Sequence, residues 1–169
     1  MISEINNIVL SGHLDPNCDY EFNQDFIWRD HWKKISLLCK SSRFTLLFFM
    51  KTRKFIINGV KAMKYVEKIK FDLSQMLCCN IDQISNYRIT NITATLDLRE
   101  NIMLDQLFNK FKLRSIYEPE LFPNLKMKLT CGVSAIVAKS GKVILTGCKN
   151  ENHIQVAENE ILLSVSATT

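Results

Sequence analysis

Glycine is scarce in this 169-residue chain, with five in all, and proline is scarcer at three. So few glycines leave no glycine-spaced loop of the kind that cradles phosphate. Long apolar runs are also missing: the strongest, residues 44–50, stops at Lys51, far short of the roughly 18 residues of a membrane-crossing helix. The opening MISEINNIVL carries no basic residue ahead of its apolar part, which predicts no secretion signal and an intracellular, soluble protein. Six cysteines are present without a CxxC pair, and His13, His31 and His153 stand alone. That pattern predicts neither a disulfide framework nor a metal site, and no cofactor. No Ser/His/Asp or Cys/His constellation and no paired carboxylates in a plausible cleft occur, so an enzyme is the weakest reading.

What is present is a globular composition, 47% hydrophobic and 23% charged, with a lopsided distribution of charge. Residues 1–32 hold six acidic residues and one basic, whereas residues 33–70 hold eleven basic residues against Glu67 alone. Such a concentration suits a polyanion, nucleic acid first, or else a solvated lysine-rich face.

Taken in order, residues 4–10 (EINNIVL) predict a strand. Residues 12–32 turn from acidic to aromatic, with Phe22, Phe26, Trp28 and Trp32, and predict a short helix plus loop. Three β-rich runs follow at 34–39, 44–50 and 54–57. After Asn58-Gly59 the period changes: Val60, Met63, Val66, Ile69, Leu73 and Leu77 recur three and four apart, one face of a helix. A strand is then predicted over 87–98, and an amphipathic helix over 101–111 with Ile102, Leu104, Leu107, Phe108 and Phe111 inward. Three short strands at 125–129, 133–138 and 142–146 come next, the last two parted by a hairpin turn at Ser140-Gly141. A final helix over 150–165 turns Ile154, Ala157, Ile161 and Leu162 inward.

The programme is a repeat. Asn7-Ile8 matches Asn91-Ile92 at an offset of 84, and KFIINGVK at 54–61 matches KVILTGCK at 142–149 at an offset of 88. Two copies, 1–84 and 85–169, predict an α+β protein with one antiparallel sheet and helices over one face. The other face lacks the clean alternation of a wetted surface: RFTLLFFM at 43–50 and both sides of residues 143–146 are largely apolar. A face of that kind is either covered by something folded or is a docking surface. No helices remain to cover it, which favours docking.

These residues also carry a family resemblance. YEPELFPNL at 117–125, followed by SGKVILTG at 140–147 and a helix, resembles the second repeat of the TATA-box-binding-protein family. INNIV at 5–9 and ITNIT at 89–93 resemble the first strand of each of its repeats. The resemblance implies a saddle, two pseudo-symmetric repeats forming one curved ten-stranded antiparallel sheet with helices on the convex face. It implies a general transcription initiation factor whose concave face lies in the DNA minor groove. In that family apolar wedges enter base steps and kink the duplex by about 80°. The minor groove offers a degenerate hydrogen-bond pattern, suited to a sheet of Val, Ile and Thr with one Asn per half.

Position by position, Asn7 and Asn91 match the asparagines that bond central base edges, with Val9 and Thr93 on their face. Ile144 and Thr146 match minor-groove residues of the last strand, and Ile56 and Asn58 are their first-repeat counterparts. Phe122 falls on a wedge phenylalanine, and Ala138 stands where its companion would be. In the first repeat the wedge falls on Met50, beside Phe48, with a companion near Trp32 or Lys33. Lys54, Lys128 and Lys142 match phosphate contacts, while Glu118, Glu120 and Leu121 match the loop that receives TFIIB. Lys40-Ser41-Ser42-Arg43 replaces a proline-containing loop on the side that receives TFIIA. The implied partners are double-stranded A·T-rich promoter DNA, a TFIIB-like factor and the RNA polymerase machinery, with no membrane and no small-molecule substrate. Drift from the family pattern fits a fast-evolving lineage such as a large DNA virus or a parasite. The compartment expected is the nucleus, or a cytoplasmic factory for a virus. The competing reading is a decayed relative that serves as a protein-interaction module without strong TATA recognition.

Overall fold

Wherever β-branched and aromatic residues alternate, the computed structural model has a strand. It describes residues 3–21, 30–31, 34–39 and 44–166, with the backbone alone for 30–39. The chain divides into two compact units, residues 7–90 and residues 1–6 together with 91–169.

The unit of residues 7–90 contains most of β1 (Glu4–Leu14), then β2 (Asp30–His31), β3 (Lys34–Cys39), β4 (Phe44–Phe49) and β5 (Lys54–Val60). These pair antiparallel in the order β2-β3-β4-β5-β1. Alternate residues point to one face and are buried there: Ile8 and Leu10 of β1, Phe44, Leu46 and Phe48 of β4, Phe55 and Ile57 of β5. Ile69 and Leu73 of α1 (Val66–Met76) are buried as well, each such side chain contributing about 1.5–3 kcal/mol. The helix begins six residues later than its apolar spacing predicts. Gly59, at φ +101°, lets β5 continue as a bulged strand through Val60, and Met63 lies in a 3-10 turn. No side chain caps α1. Its first carbonyl, of Val66, accepts instead from the Tyr87 hydroxyl at 2.7 Å. Burial pushes the Tyr87 phenol up, so it stays a donor at any ordinary pH.

Part of the basic excess is spent inside this unit. Arg53 donates from Nη1 to the carbonyls of Asp15, at 2.9 Å, and Cys18, at 2.6 Å. Its guanidinium also lies over the Tyr20 ring at 5.3 Å. That fastens the turn after β1, where a helix had been expected: β1 runs on to Leu14, and residues 15–21 form a turn and an irregular segment. Phe22, Phe26, Trp28, Trp32, Lys33 and the loop 40–43 lie outside the described residues.

The unit of residues 91–169 takes the second half of β6 (Ile84–Asp97), α2 (Leu104–Lys110), β7 (Ser115–Glu118), β8 (Phe122–Lys128), β9 (Ser134–Val137), β10 (Lys142–Cys148) and α3 (Glu151–Ser166). Its strands run antiparallel in the order β6-β10-β9-β8-β7. Ile92, Ala94 and Leu96 are buried with Val143, Leu145, Ala135, Val137, Leu125 and Met127 on one face. Ile154, Ala157 and Ile161 supply the buried stripe of α3. The helix over 101–111 shortens to seven residues, because Ile102 spends its N–H on the Lys139 carbonyl at 2.9 Å. Ile102, Leu104 and Leu107 are buried, while Phe108 and Phe111 are half-buried. Strand β7 is the element the sequence pattern missed, since SIYE is too short to show a period. The Ser140-Gly141 hairpin is real: Gly141 has φ +82°, and a Cβ there would strike the Glu100 carbonyl.

One polar cluster holds this unit together at α3. Glu160 accepts from the Thr130 N–H at 2.9 Å, from its hydroxyl at 2.8 Å and from Arg114 Nη1 at 2.6 Å. Burial opposes its charge, but the Thr130 and Arg114 donors outweigh that and hold its carboxyl below the ordinary 4.5. A depressed carboxylate stabilises the fold above its unfolded pKa, and that share disappears as pH falls through the folded value. We therefore expect stability to drop on acidification below about pH 4.5, with a smaller acid loss in Glu160→Gln. At pH 7 that variant should be less stable by about 1–3 kcal/mol. Urea titrations at pH 7 and pH 3.5 check both; identical pH profiles would refute the role given to Glu160.

Candidate nucleic-acid interface

Each unit leaves the second face of its sheet without a helix, and the sequence repeat places equivalent residues on both. In residues 7–90 the half-buried or exposed positions of β1, β4 and β5 form cross-strand rows. Ser11, Ile56 and Leu47 make one row, Asn58 and Thr45 the next, and His13, Lys54 and Phe49 another. In residues 91–169 the longest row is Thr95, Ile144, Ile136, Lys126 and Ile116, beside Thr93, Thr146, Ser134 and Lys128. Both open faces are β-branched and apolar in the middle, with lysines toward the strand ends. Ile144, Ile56 and Ile116 are large hydrophobic side chains left exposed.

A bulge in the last strand of each unit positions the polar centre. The pairing of β1 with β5 slips at Asn58-Gly59, and that of β6 with β10 slips at Gly147. Gly59 and Gly147 sit at φ +101° and +100°, a conformation L side chains rarely adopt. The freed N–H of Gly59 donates to Asn7 Oδ1 at 2.9 Å, and that of Gly147 to Asn91 Oδ1 at 2.8 Å. A backbone N–H can only donate, so it settles which end of each amide is oxygen. The Nδ2 groups are thereby left as donors on the open faces. Asn7 Nδ2 donates to Asn58 Oδ1 at 2.7 Å, and Asn91 Nδ2 to Thr93 Oγ1 at 3.3 Å.

The candidate residues divide by face. Asn7, Val9, Ile56 and Asn58 share the open face of one unit; Asn91, Thr93, Ile144 and Thr146 share that of the other. Lys54, Lys128 and Lys142 are exposed in the same strands, with Lys128 Nζ donating to Ser134 Oγ at 3.4 Å. Phe122 is half-buried at the start of β8, and Lys126 Nζ lies 4.7 Å from its ring centre. Phe48 is a correction: it is fully buried on the covered face against Tyr20, at 5.2 Å between ring centres, and cannot touch anything docked on the open one. Met50, 47% exposed, lies in the turn beyond β4 rather than in a row. The open-face phenylalanine of β4 is Phe49. It faces Lys54, as Ala138 adjoins Lys142, whose carbonyl accepts from Ala138 N–H at 2.9 Å. Phe49, Lys126, Ile116 and Ile136 were all passed over in the sequence. Parity along the strand finds the first, since Phe49 shares the face of Leu47 and Thr45; the others need the cross-strand register.

At the end of this sheet Glu118 pairs with Phe122 across a turn closed by Leu121 N–H to the Glu118 carbonyl at 2.9 Å. Pro123 has no N–H to offer the ladder, and the β7–β8 pairing is irregular beside it. Glu118, Pro119, Glu120 and Leu121 all project into solvent, Leu121 at 82% exposure. Among the described residues no group of three His, Cys, Asp or Glu is arranged to hold a metal ion.

Residues 86–166 match the family model described as transcription factor TFIID (or TATA-binding protein, TBP). The chain is 29% identical over 159 residues to the TATA-box-binding protein of Aeropyrum pernix, covering 91% of this chain and 77% of that protein. It is 38% identical over 73 residues to the TATA-box-binding protein of Pyrobaculum aerophilum, covering 43% of this chain and 36% of that one. TATA-box-binding protein 2 of Entamoeba histolytica is 30% identical over 106 residues, 62% of this chain and 46% of its own. In these last two the chain spans less than half of the relative's length. The solved structure of Methanococcus jannaschii TBP matches with a TM-score of 0.76 at 23% identity, over 99% of both chains. That likeness shows the α+β fold, antiparallel sheet with helices. These relatives are archaeal and amoebal, and they lend no support to a viral source.

The placement of the two phenylalanines predicts opposite outcomes for neighbouring substitutions. Phe48→Ala should cost about 3–5 kcal/mol of stability, and Phe49→Ala markedly less. Chemical denaturation of both variants decides it, and equal losses would put both rings in the core.

Proposed function

The chain belongs to the TATA-box-binding-protein family as a divergent member, and from that premise we propose that it is a transcription initiation factor that binds A·T-rich promoter DNA through the minor groove. One observation carries this reading. In each unit an asparagine has its carbonyl held by a bulge glycine, at 2.9 and 2.8 Å, and turns its amide donors outward. A minor groove of A·T pairs presents only acceptors, adenine N3 and thymine O2, so outward donors fit it. Val9, Ile56, Thr93, Ile144 and Thr146 supply the apolar and β-branched bed around those donors. Lys54, Lys128 and Lys142, joined by Lys126, reach for phosphates and set register without reading sequence. Phe122 and Phe49 act as the wedges, one to each unit, and unstack base steps to bend the duplex.

The turn of Glu118, Glu120 and Leu121 receives a TFIIB-like factor, through an exposed leucine flanked by two carboxylates. A second reading has its own observation. Ala138 leaves residues 91–169 without a companion to Phe122, so a chain that docks proteins by this turn and grips DNA weakly remains the alternative.

Fluorescence anisotropy on duplexes of A·T, G·C and inosine·C pairs, titrated with salt, tests the DNA reading. Inosine lacks the guanine amino group, so its minor groove resembles that of an A·T pair. A·T and inosine·C duplexes should bind more than tenfold more tightly than G·C. Lys142→Ala should lower the salt slope by about one. The Asn7→Ala/Asn91→Ala double variant should lose about a hundredfold in affinity, two contacts at about 1–3 kcal/mol each. Equal affinity for all three duplexes, with no bend by fluorescence transfer between labelled ends, sinks the reading. Capture of a TFIIB-like factor that persists without DNA binding and fails in Leu121→Ala selects the alternative.

A further inference from the structure

The two open faces differ at their polar centre, and the difference lies in Asn58. The 88-residue repeat puts Asn58 where residues 91–169 have Thr146, and the 84-residue repeat puts Val9 where they have Thr93. In the unit of residues 7–90 the Gly59 N–H occupies Asn7 Oδ1, and that orients Asn7 without ambiguity. Asn7 can then offer Asn58 only its NH2, so the atom of Asn58 that receives it, at 2.7 Å, is Oδ1. Both amide oxygens are thus held by N–H groups. What the pair turns to a ligand is one N–H of Asn7 and both of Asn58, with Val9 beside them offering nothing polar. In the other unit the centre is Asn91, Thr93 and Thr146. Asn91 Oδ1 is held by Gly147, while the two threonine hydroxyls rotate and either donate or accept.

We infer that Asn58 makes the unit of residues 7–90 the stricter reader of A·T pairs, and that residues 91–169 tolerate a G·C pair. The inference rests on the minor-groove reading above. The chemistry is that of one group. Guanine adds an N2 amino donor to the minor groove. Over the Asn7–Asn58 pair that donor meets N–H groups, loses its water and gains no acceptor, which is costly. Over Thr93 and Thr146 a hydroxyl turns to accept it. The consequence is polarity: on a site with a G·C pair toward one end, the chain binds with Asn58 at the other end.

The experiment moves a single G·C pair through an otherwise A·T duplex and measures affinity at each position, with inosine·C as the control. The wild-type penalty should be about tenfold or more at positions under one half and smaller under the other, and inosine should erase it. Asn58→Thr installs the residue found at the matching position of the other unit, at an exposed site, so its melting temperature should stay near that of the wild type. In that variant the two halves of the penalty profile should become alike. A fluorescent label at Lys54, paired with one on either DNA end, should report a single orientation for wild type and a mixture for Asn58→Thr. An unchanged profile in Asn58→Thr, or a penalty that inosine leaves intact, overturns this inference while DNA binding stands. Failure of the wild-type protein to bind the all-A·T duplex overturns the minor-groove reading itself.

Discussion

A hydrogen bond from a backbone N–H to an asparagine side chain, made once in each half of the chain, organises everything functional in this protein. Gly59 and Gly147 adopt a left-handed backbone that breaks the pairing of their strands by one residue. The break frees an N–H, and Asn7 and Asn91 take it. A strand slipped by one residue turns its whole apolar set to the opposite face, so the bulge also decides which side chains line the core beyond it. Core and interface therefore share one local device: Ile57 and Val60 stay buried while Ile56 and Asn58 face out, and Leu145 and Cys148 stay buried while Ile144 and Thr146 do.

Charge is divided between structure and surface in a way that net charge conceals. Arg53 is committed to two carbonyls and a tyrosine ring, and Arg114 to Glu160. Both guanidinium groups use their planar fork to satisfy several acceptors at once, which a lysine does poorly. Lys54, Lys126, Lys128 and Lys142, by contrast, keep their ammonium groups near solvent at strand positions of the open faces. A phosphate contact needs only a reachable point charge there. The exposed Leu121 turn adds a surface of the opposite sign, acidic and apolar, away from those lysines in sequence and in the sheet row they occupy.

The errors of the sequence reading have a common origin. Phe48 and Met50 were chosen because they flank the aligned position, yet Phe49 lies between them and only it shares the face of Leu47 and Thr45. A run such as LLFFM is apolar on both sides, so its parity is invisible until a partner strand supplies the register. The same holds for Ile136 and Ile116, which join Ile144 in one row across three other strands. Helix α1 was placed too early because Val60 and Met63 continue its spacing, while the glycine before them keeps the backbone extended. Local pattern and backbone conformation competed there, and the bulge won.

The sequence by itself determined the repeat, the α+β class, the three helical stripes and the acidic proline-marked turn, and it singled out Asn7 and Asn91. Those features are local: they depend on spacing along the chain, on turn residues and on short strings that survive divergence. Only the tertiary structure decided which face each strand residue occupies, that Phe49 and not Phe48 is accessible, and that Asn58 is paired to Asn7 with its oxygen consumed. Those facts depend on register between strands distant in the chain, and on an N–H that exists as a free donor only where two strands fall out of step.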